Sequence, residues 1–370
     1  MKFERLRPDK YLKYLKIPNP FVSKRTQEIL LINPTVVPER EEAEKISVSV
    51  YDYDEVELDV KKSTSLSDCL HYRDNNHITW INIDGLRKKD VETVCAHYGI
   101  HSLICEDILS INQRPKIDEE DGYIFCLLNM LYYNDKNFTV EQEQISIVVV
   151  QNVVISFQED PRRDVFTSIR EKLALSGSKI RQRGVDYLCY KLLDMIVDHY
   201  FTVMEKLGER IEDVEEEVTA GGNTGELTDI THLRKELIIL KRNITPVREV
   251  INVLLRSENK LLEERHDKYF KDVYDHIVQA SELVENYRDV VVGLQDLHIN
   301  NVNLRMNEVM KVMAVVTCLL APATVIGGIF GMNFTKIPFL DNHYGFWAAV
   351  AFMLLIPVAM IWLFKKRGWF

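Results

Sequence analysis

The chain lacks the motifs that mark the common classes of enzyme and of metal-stabilised protein. Its six cysteines are scattered, with no CxxC pair and no cysteine–histidine cluster, which indicates reduced thiols rather than a disulfide framework or a zinc site. The sequence contains neither a GxxxxGK(S/T) phosphate loop nor an HExxH pair. Because no nucleophile–base set or closed set of metal ligands is present either, the sequence predicts a protein that is not an enzyme.

Two further absences narrow the class of protein. The net charge is −10 and no long basic run offsets it, so nucleic acid is not an expected partner. The segment after Met1 leads into no apolar core of about 7 to 15 residues, so no cleavable signal peptide is expected.

Charge is also missing from two long apolar runs near the C-terminus. Val312–Phe334 and Tyr344–Phe364 contain 23 and 21 residues and no Asp, Glu, Lys or Arg. At about 1.5 Å per residue, each is long enough to cross a hydrocarbon core of about 30 Å. The alternative is two buried helices of a soluble protein, which rarely need this length. The runs therefore predict a transmembrane hairpin in contact with membrane lipid.

Basic residues flank this hairpin on its outer ends. Lys311 precedes the first run and Lys365, Lys366 and Arg367 follow the second, whereas the connecting loop 335–343 carries one Lys and one Asp. By the positive-inside rule, both termini are cytoplasmic and the loop lies outside. The sequence thus predicts a multi-pass protein of the cell (inner) membrane.

The remaining pattern predicts an α+β fold. Short β-branched or aromatic runs before residue 165 alternate with helical segments, and two long helical patterns then meet at a glycine-rich break at residues 220–225. The second is predicted to be kinked or broken at Pro246. The fold of residues 1–75 is left open. The predicted organisation is a cytoplasmic α/β domain (1–165), a helical hairpin (166–262), a stalk helix (263–311), a first transmembrane helix (312–334), a loop (335–343), a second transmembrane helix (344–364) and a basic tail (365–370).

The predicted stalk helix carries two apolar lines. Residues from Val273 to Leu294 repeat at alternating spacings of 4 and 3, and a second line runs through Leu283, Val290, Leu297 and Leu304. Two lines bury a helix against more than one neighbour, which favours an assembly of several copies.

A polar face follows on the same helix. Asp296, Asn300, Asn303 and Asn307 are spaced 4, 3 and 4 apart, and the face continues through Met310, Ala314, Thr317, Ala321, Thr324 and Gly328. Around a symmetry axis this face would line a pore. The alternative is that small residues and threonines simply allow close helix packing. The pore is favoured because the polar part extends far outside the membrane.

The chemistry of this face suits an ion that keeps its water. Mg²⁺ loses water reluctantly, and amides, hydroxyls and carbonyls accept hydrogen bonds from its hydration shell. Asn333 and the Gly331 carbonyl would form such a ring at the outer mouth. The acidic run Glu215–Glu217 is interpreted as a solvated helix face, with cation collection as the alternative.

Several stretches resemble the CorA family of magnesium transport proteins. They are Gly331-Met332-Asn333-Phe334, Asn307–Val312, Phe364–Arg367, Cys105–Leu109, Gln113–Lys116 and Tyr269–His276. The resemblance implies a funnel-shaped homopentameric channel for Mg²⁺, and also for Co²⁺ or Ni²⁺, closed by Mg²⁺ bound at cytoplasmic carboxylates. The alternatives are a zinc or other divalent transporter of the same fold, or a non-conducting membrane metal sensor.

The resemblance also implies roles for single residues. Gly331, Met332 and Asn333 would form the selectivity filter, and Asp296, Asn300 and Asn303 the cytoplasmic end of the pore. Asp107 would face Asp272 of a neighbouring subunit across a metal, with Glu106 and Asp194 at a second metal site. Without the resemblance, Asp107 and Asp272 would be interpreted as surface acids or helix caps. The implied pore-lining residues are Asn307, Met310, Met313, Thr317, Ala321, Thr324 and Gly328.

One segment departs from the family pattern. Many members have Met-Pro-Glu-Leu after the filter, whereas this chain has Ile337-Pro338-Phe339-Leu340, preceded by Lys336. The outer mouth therefore lacks one acid, and attraction of cations is expected to be weaker or to depend on Asp341.

Overall fold

The computed structural model describes residues 42–43, 45–63, 65–66, 70–74, 77–111, 113–221, 225–332 and 344–368. The chain divides into two compact units. The first comprises Met1–Val214 and Thr228–Val291, and the second comprises Glu215–Leu227 and Val292–Phe370.

A seven-stranded mixed sheet organises the first unit, in the order β2-β1-β3-β7-β6-β5-β4. β3 pairs with β7 in parallel, and the other neighbouring strands are antiparallel. The five strands with strong β-branched or aromatic runs were predicted, whereas the charged edge strands β2 and β4 were not. The strands are β1 Ser47–Tyr53, β2 Leu58–Ser63, β3 Ile78–Asp84, β4 Lys116–Glu120, β5 Tyr123–Asn134, β6 Thr139–Val150 and β7 Val153–Gln158.

Two short helices, α1 (Lys88–Tyr98) and α2 (Ser102–Leu109), cover one face of this sheet. Alternate residues of a strand point to opposite faces, so Ile81 and Ile83 contribute to the core under these helices. The His101 imidazole accepts a hydrogen bond from the Leu103 amide at 3.2 Å and so caps α2. This cap fixes the helix that carries Glu106 and Asp107.

Three helices follow the sheet in the chain: α3 (Thr167–Ala174), α4 (Val185–Ala220) and α5 (Glu226–Arg256). Buried polar bonds attach the long pair to β5. The Tyr200 hydroxyl donates to the Asn129 carbonyl at 2.7 Å, and the Asn129 amide donates to the Asn243 side-chain oxygen at 2.8 Å. α5 continues through Pro246, so the predicted break at this residue does not occur.

The helix α6 runs without interruption from Asp267 to Phe330, 64 residues or about 95 Å. The sequence predicted a stalk helix and a first transmembrane helix in this region, and the structure joins the two into one helix. Its first apolar line is largely buried, with Val273, Ile277 and Val284 at most 2% exposed. Its second line is not: Val290 and Leu304 are 41% and 55% exposed.

The C-terminal half of α6 and the helix α7 (Gly345–Lys366) are both long and apolar enough to cross a membrane, with mean hydropathies of 2.2 and 2.3. Almost none of their residues is buried within the chain. Core helices of a soluble protein would be covered, so this exposure favours the transmembrane hairpin. An apolar cavity of about 590 Å³ lies between the two helices, lined by residues that include Ile326, Phe330 and Phe352.

Candidate functional site

A polar strip follows the second half of α6. Each of its residues is exposed on the single chain, so the strip is open to water or to another copy of the protein. It begins with a carboxylate, continues with three amides and ends with hydroxyl and small residues. The strip consists of Asp296, Asn300, Asn303, Asn307, Met310, Met313, Ala314, Thr317, Ala321, Thr324 and Gly328.

The two threonines of the strip have their hydrogens engaged within the helix. The Thr317 hydroxyl donates to the Met313 carbonyl at 2.8 Å, and the Thr324 hydroxyl donates to the Leu320 carbonyl at 3.0 Å. A hydroxyl oxygen has two lone pairs besides its single hydrogen, so each threonine still accepts hydrogen bonds. Acceptors of this kind suit the water shell of a cation and offer nothing to an anion.

The helix α7 leaves the strip uncovered. In the apolar half of α6 the most buried residue is Val315, and Leu319, Pro322 and Ile326 are partly buried along the same line, which ends at the cavity between α6 and α7. At 3.6 residues per turn, this line lies on the side of α6 away from Thr317 and Thr324. The hairpin therefore presents the strip outward from its own packing face.

The helix ends where the filter is predicted to begin. The Gly331 amide donates to the Gly327 carbonyl at 2.9 Å, and the Met332 amide donates to the Ile329 carbonyl at 3.3 Å. A Cβ at Gly331 would lie 3.1 Å from the Gly327 oxygen, a tight approach that favours glycine at this position. Asn333 and the loop 335–343 lie outside the described residues.

Asp107 is held by neighbours within its own chain. Its half-buried carboxylate lies 2.5 Å from the Lys116 ammonium nitrogen and accepts a hydrogen bond from the Gln113 amide at 2.9 Å. A metal ion bound by Asp107 would compete with Lys116 for the same oxygens. Glu106, the preceding residue of α2, is exposed, and so is Asp272 on α6.

The structure places Asp194 in a cluster with Asp198 and His276, here called the α4–α6 cluster. One ligand atom from each residue lies within 4.8 Å of the others, and Nδ1 of His276 is 3.6 Å from Oδ1 of Asp198. Asp194 also pairs with the Lys191 ammonium at 2.9 Å. Neither Glu106 nor Asp107 belongs to this group.

The electrostatics of the α4–α6 cluster favour a bound cation. Burial raises the pKa of Asp198 and the negative charge of Asp194 raises it further, while His276 and Lys191 oppose the shift and Asp272 adds to it weakly. A divalent ion would relieve this repulsion. Carboxylate oxygens suit Mg²⁺, whereas an imidazole nitrogen suits Co²⁺, Ni²⁺ or Zn²⁺ better.

The family resemblance implied Asp194 as a metal ligand, whereas Asp198 and His276 were not among the predicted site residues. Asp194 and Asp198 are four residues apart and share one helix face. That spacing was the available signal. His276 joins them only through the packing of α6 on α4.

An α+β part followed by two exposed apolar helices, one bearing a strip of hydrogen-bond acceptors, defines an integral membrane protein arranged for transport. The family model described as "CorA-like Mg2+ transporter protein" matches residues 75–366. The chain therefore belongs to the CorA-like Mg²⁺ transporter family, which consists of transporters and not of enzymes.

Relatives along most of the chain agree with this assignment. The cobalt/magnesium transport protein CorA of Thermotoga maritima is 38% identical over 88% of this chain and 93% of that protein. The putative metal ion transporter YfjQ of Bacillus subtilis is 31% identical over 79% of this chain and 91% of that protein.

A solved structure confirms the fold class. The CorA magnesium transporter of Methanocaldococcus jannaschii superposes with a TM-score of 0.72, covering 87% of this chain and 98% of that chain at 23% identity.

Proposed function

We propose that the protein is a channel through which Mg²⁺, and also Co²⁺, enters the cell down its electrochemical gradient. The observation that carries this proposal is the exposed polar strip of α6, which lies away from α7 and offers oxygen acceptors along the membrane-spanning part of the helix. Relatives named as cobalt/magnesium transport proteins support the choice of ion. A potential of 100 mV supplies about 4.6 kcal/mol for a divalent ion, so no other energy source is needed.

One copy cannot enclose an ion with a single strip, so the proposal requires an assembly. The second apolar line of α6 is exposed at Val290 and Leu304, which is the surface a neighbouring α6 would cover. The assembly is a funnel-shaped homopentamer, the arrangement that the family resemblance implies. It lies in the cell membrane with both termini in the cytoplasm.

Within the assembly, the strip has three parts. Gly331, Met332 and Asn333 form the filter at the outer mouth, and they bind the hydrated ion. Met310 and Met313 form an apolar gate, at which the pore narrows. Asp296, with Asn300 and Asn303, forms the cytoplasmic end, where the carboxylate attracts cations.

Metal bound to the cytoplasmic part of the protein closes the channel. Asp107 of one subunit and Asp272 of its neighbour share a divalent ion, and the α4–α6 cluster forms a second site to which Glu106 contributes a further carboxylate in the assembly. Carboxylates on adjacent subunits repel one another unless a cation lies between them. Loss of the ion therefore loosens the subunits and opens the gate, which gives negative feedback by Mg²⁺.

The test is Mg²⁺ uptake into liposomes that carry the full chain, with low internal Mg²⁺ and an inside-negative potential. Wild-type protein is expected to conduct and Asn333→Ala to lose uptake, whereas Asn137→Ala, in an exposed turn, leaves it unchanged. Normal uptake by Asn333→Ala would contradict the filter. No uptake by the wild type would point to a non-conducting sensor, and competition by Zn²⁺ but not Co²⁺ would point to a zinc transporter.

A further inference from the structure

The turn between α4 and α5 is fastened to α6 by three side chains. Nδ1 of His298 lies 2.9 Å from Oε2 of Glu226, and the two side chains are only 15% and 5% exposed. The Asn301 amide donates to the Val218 carbonyl at 2.9 Å. These four residues, all in the second unit, are here called the latch.

The latch adds contacts at both of the helix ends that border the turn. Val218 lies in the last turn of α4, and its carbonyl accepts hydrogen bonds from the Gly221 amide at 3.2 Å and from the Asn301 side chain at 2.9 Å. Glu226 is the first residue of α5, where a carboxylate is favoured by the helix dipole. The contacts are therefore built into both ends of the turn and do not depend on mobile surface side chains.

The position of the latch on α6 connects it to the polar strip. His298 and Asn301 are three residues apart, and Arg305 follows four residues later, with a terminal guanidinium nitrogen near the turn at Gly221. At 3.6 residues per turn, these three positions share one side of α6. Asp296, Asn300 and Asn303 lie on the opposite side. The turn thus contacts the side of this α6 segment that lies opposite the cytoplasmic part of the strip.

The same helix that ends at the latch carries two residues of the α4–α6 cluster. Asp194, Asp198 and Val218 all belong to α4, a helix of 36 residues without a break. A continuous helix transmits a displacement along its axis more faithfully than a loop does. A metal-dependent movement of α4 would therefore reach the side of α6 that lies opposite the strip.

We propose that Glu226, His298 and Asn301 are positioning residues that couple metal binding at the α4–α6 cluster to closure of the polar strip. This inference rests on the proposed function. Without the latch, metal still binds, but α6 no longer follows α4. The channel then conducts at Mg²⁺ concentrations that close the wild type.

The test compares Glu226→Ala, His298→Ala and the double variant of the full-length protein in liposomes, with Glu216→Ala as an exposed control on the same hairpin. Each single variant is expected to raise the Mg²⁺ concentration that halves uptake by about fivefold or more, the lower range of allosteric coupling. The double variant should match the larger single effect, because one broken contact cannot be broken again. Asn301→Ala provides a milder change if the others fold poorly.

A second readout separates this inference from the proposed function. This readout is the protection of the same proteins against protease by Mg²⁺, which does not depend on conduction. The latch variants should keep this protection at the α4–α6 cluster, although Mg²⁺ no longer closes their pore. Unchanged Mg²⁺ inhibition in the single variants, or strictly additive effects in the double variant, would overturn the latch. Absence of uptake in the wild type would instead contradict the channel.

Discussion

The two units of this protein differ in how their most prominent polar side chains are placed. In the first unit, buried polar groups form closed chains, as where the Trp80 indole donates to Ser156 at 2.9 Å and Ser156 donates to Asn82 at 2.6 Å. In the second unit, the polar strip of α6 lies exposed, and it includes apolar members such as Met310 and Met313, which are 57% and 65% exposed. Closed chains of this kind need no partner outside the first unit, whereas the strip of the second unit, on the proposed function, is completed by lipid and other copies of the chain.

This difference indicates which features belong to folding and which belong to function. A buried polar group without a partner costs free energy, so the closed chains of the first unit stabilise one structure. An exposed strip costs nothing in water, but inside a membrane it is tolerated where it faces a water-filled cavity. Changes to the buried polar groups of the first unit should therefore alter stability, and changes in the strip should alter transport.

The largest expected effect is on transport. Thr324→Leu removes an acceptor oxygen and narrows the strip, so Mg²⁺ uptake into liposomes should fall on the order of a hundredfold, about 2.7 kcal/mol in the barrier. The unfolding temperature should change little. Leu355→Ala, at an exposed position of α7, is the matched control and should conduct normally. Equal uptake by Thr324→Leu and the control would show that the strip does not line the pore.

The next effect is on the stability of the first unit. Burial raises the pKa of Asp84 to about 6, although the hydrogen bond from Asn82 opposes the shift. A raised carboxyl pKa means that the stability present below the unfolded value of 3.8 is lost as the pH rises through about 6. Asp84→Asn should therefore stabilise the protein at pH 8, by at most on the order of 3 kcal/mol.

Denaturant unfolding of the full chain in detergent at pH 8 and at pH 4.5 measures this difference. The stabilisation by Asp84→Asn should shrink at the lower pH, where most of the wild-type carboxyl is already neutral. A stabilisation of the same size at both pH values would exclude titration of Asp84 as its cause.

A smaller effect is expected at the metal sites. Asp272→Lys places a cation where the proposal puts Mg²⁺, so about tenfold more Mg²⁺ should be needed for protection against protease, or about 1.4 kcal/mol. Glu282→Lys makes the same charge change at another exposed position of α6 and serves as the control. If Asp272→Lys needed no more Mg²⁺ for protection than the wild type, Asp272 would not belong to the regulatory site.

The smallest effect concerns the outer mouth. Phe339→Glu restores an acid in the loop and should lower the Mg²⁺ concentration for half-maximal uptake by about two- to threefold, since exposed charges contribute roughly 0.2 to 1 kcal/mol. Raising the ionic strength should reduce the gain. An unaltered concentration dependence would mean that entry does not depend on this position.

The sequence predicted much of the fold because its strongest patterns are local. A buried β-branched run such as Ile145–Val150 is recognisable from a few consecutive residues, and so is the 4-and-3 spacing of the first apolar line of α6. The structure confirms the strand and the burial of that line. The edge strands β2 and β4 were missed because their side chains are mostly charged and exposed, which is how edges avoid aggregation.

The parts of the candidate site whose residues are close together in the sequence were easier to predict than the parts that join distant segments. The polar strip lies on one helix, so spacing alone identified all of its members except Met313, which the family resemblance implied. The α4–α6 cluster and the latch join residues about 70 to 80 positions apart in the chain, such as His276 with Asp198 and His298 with Glu226. Helix periodicity shows which face a residue occupies, but it does not show which other helix covers that face.

The most direct test of the account asks whether the strip faces water inside the membrane. In a Cys318→Ala background, Thr324→Cys and Leu355→Cys would each be treated with a membrane-impermeant, positively charged thiol reagent during Mg²⁺ uptake. The account predicts rapid block of Thr324→Cys, slowed by high Mg²⁺, and no block of Leu355→Cys. Continued uptake by Thr324→Cys after treatment, with its thiol unmodified, would contradict a pore lined by this strip.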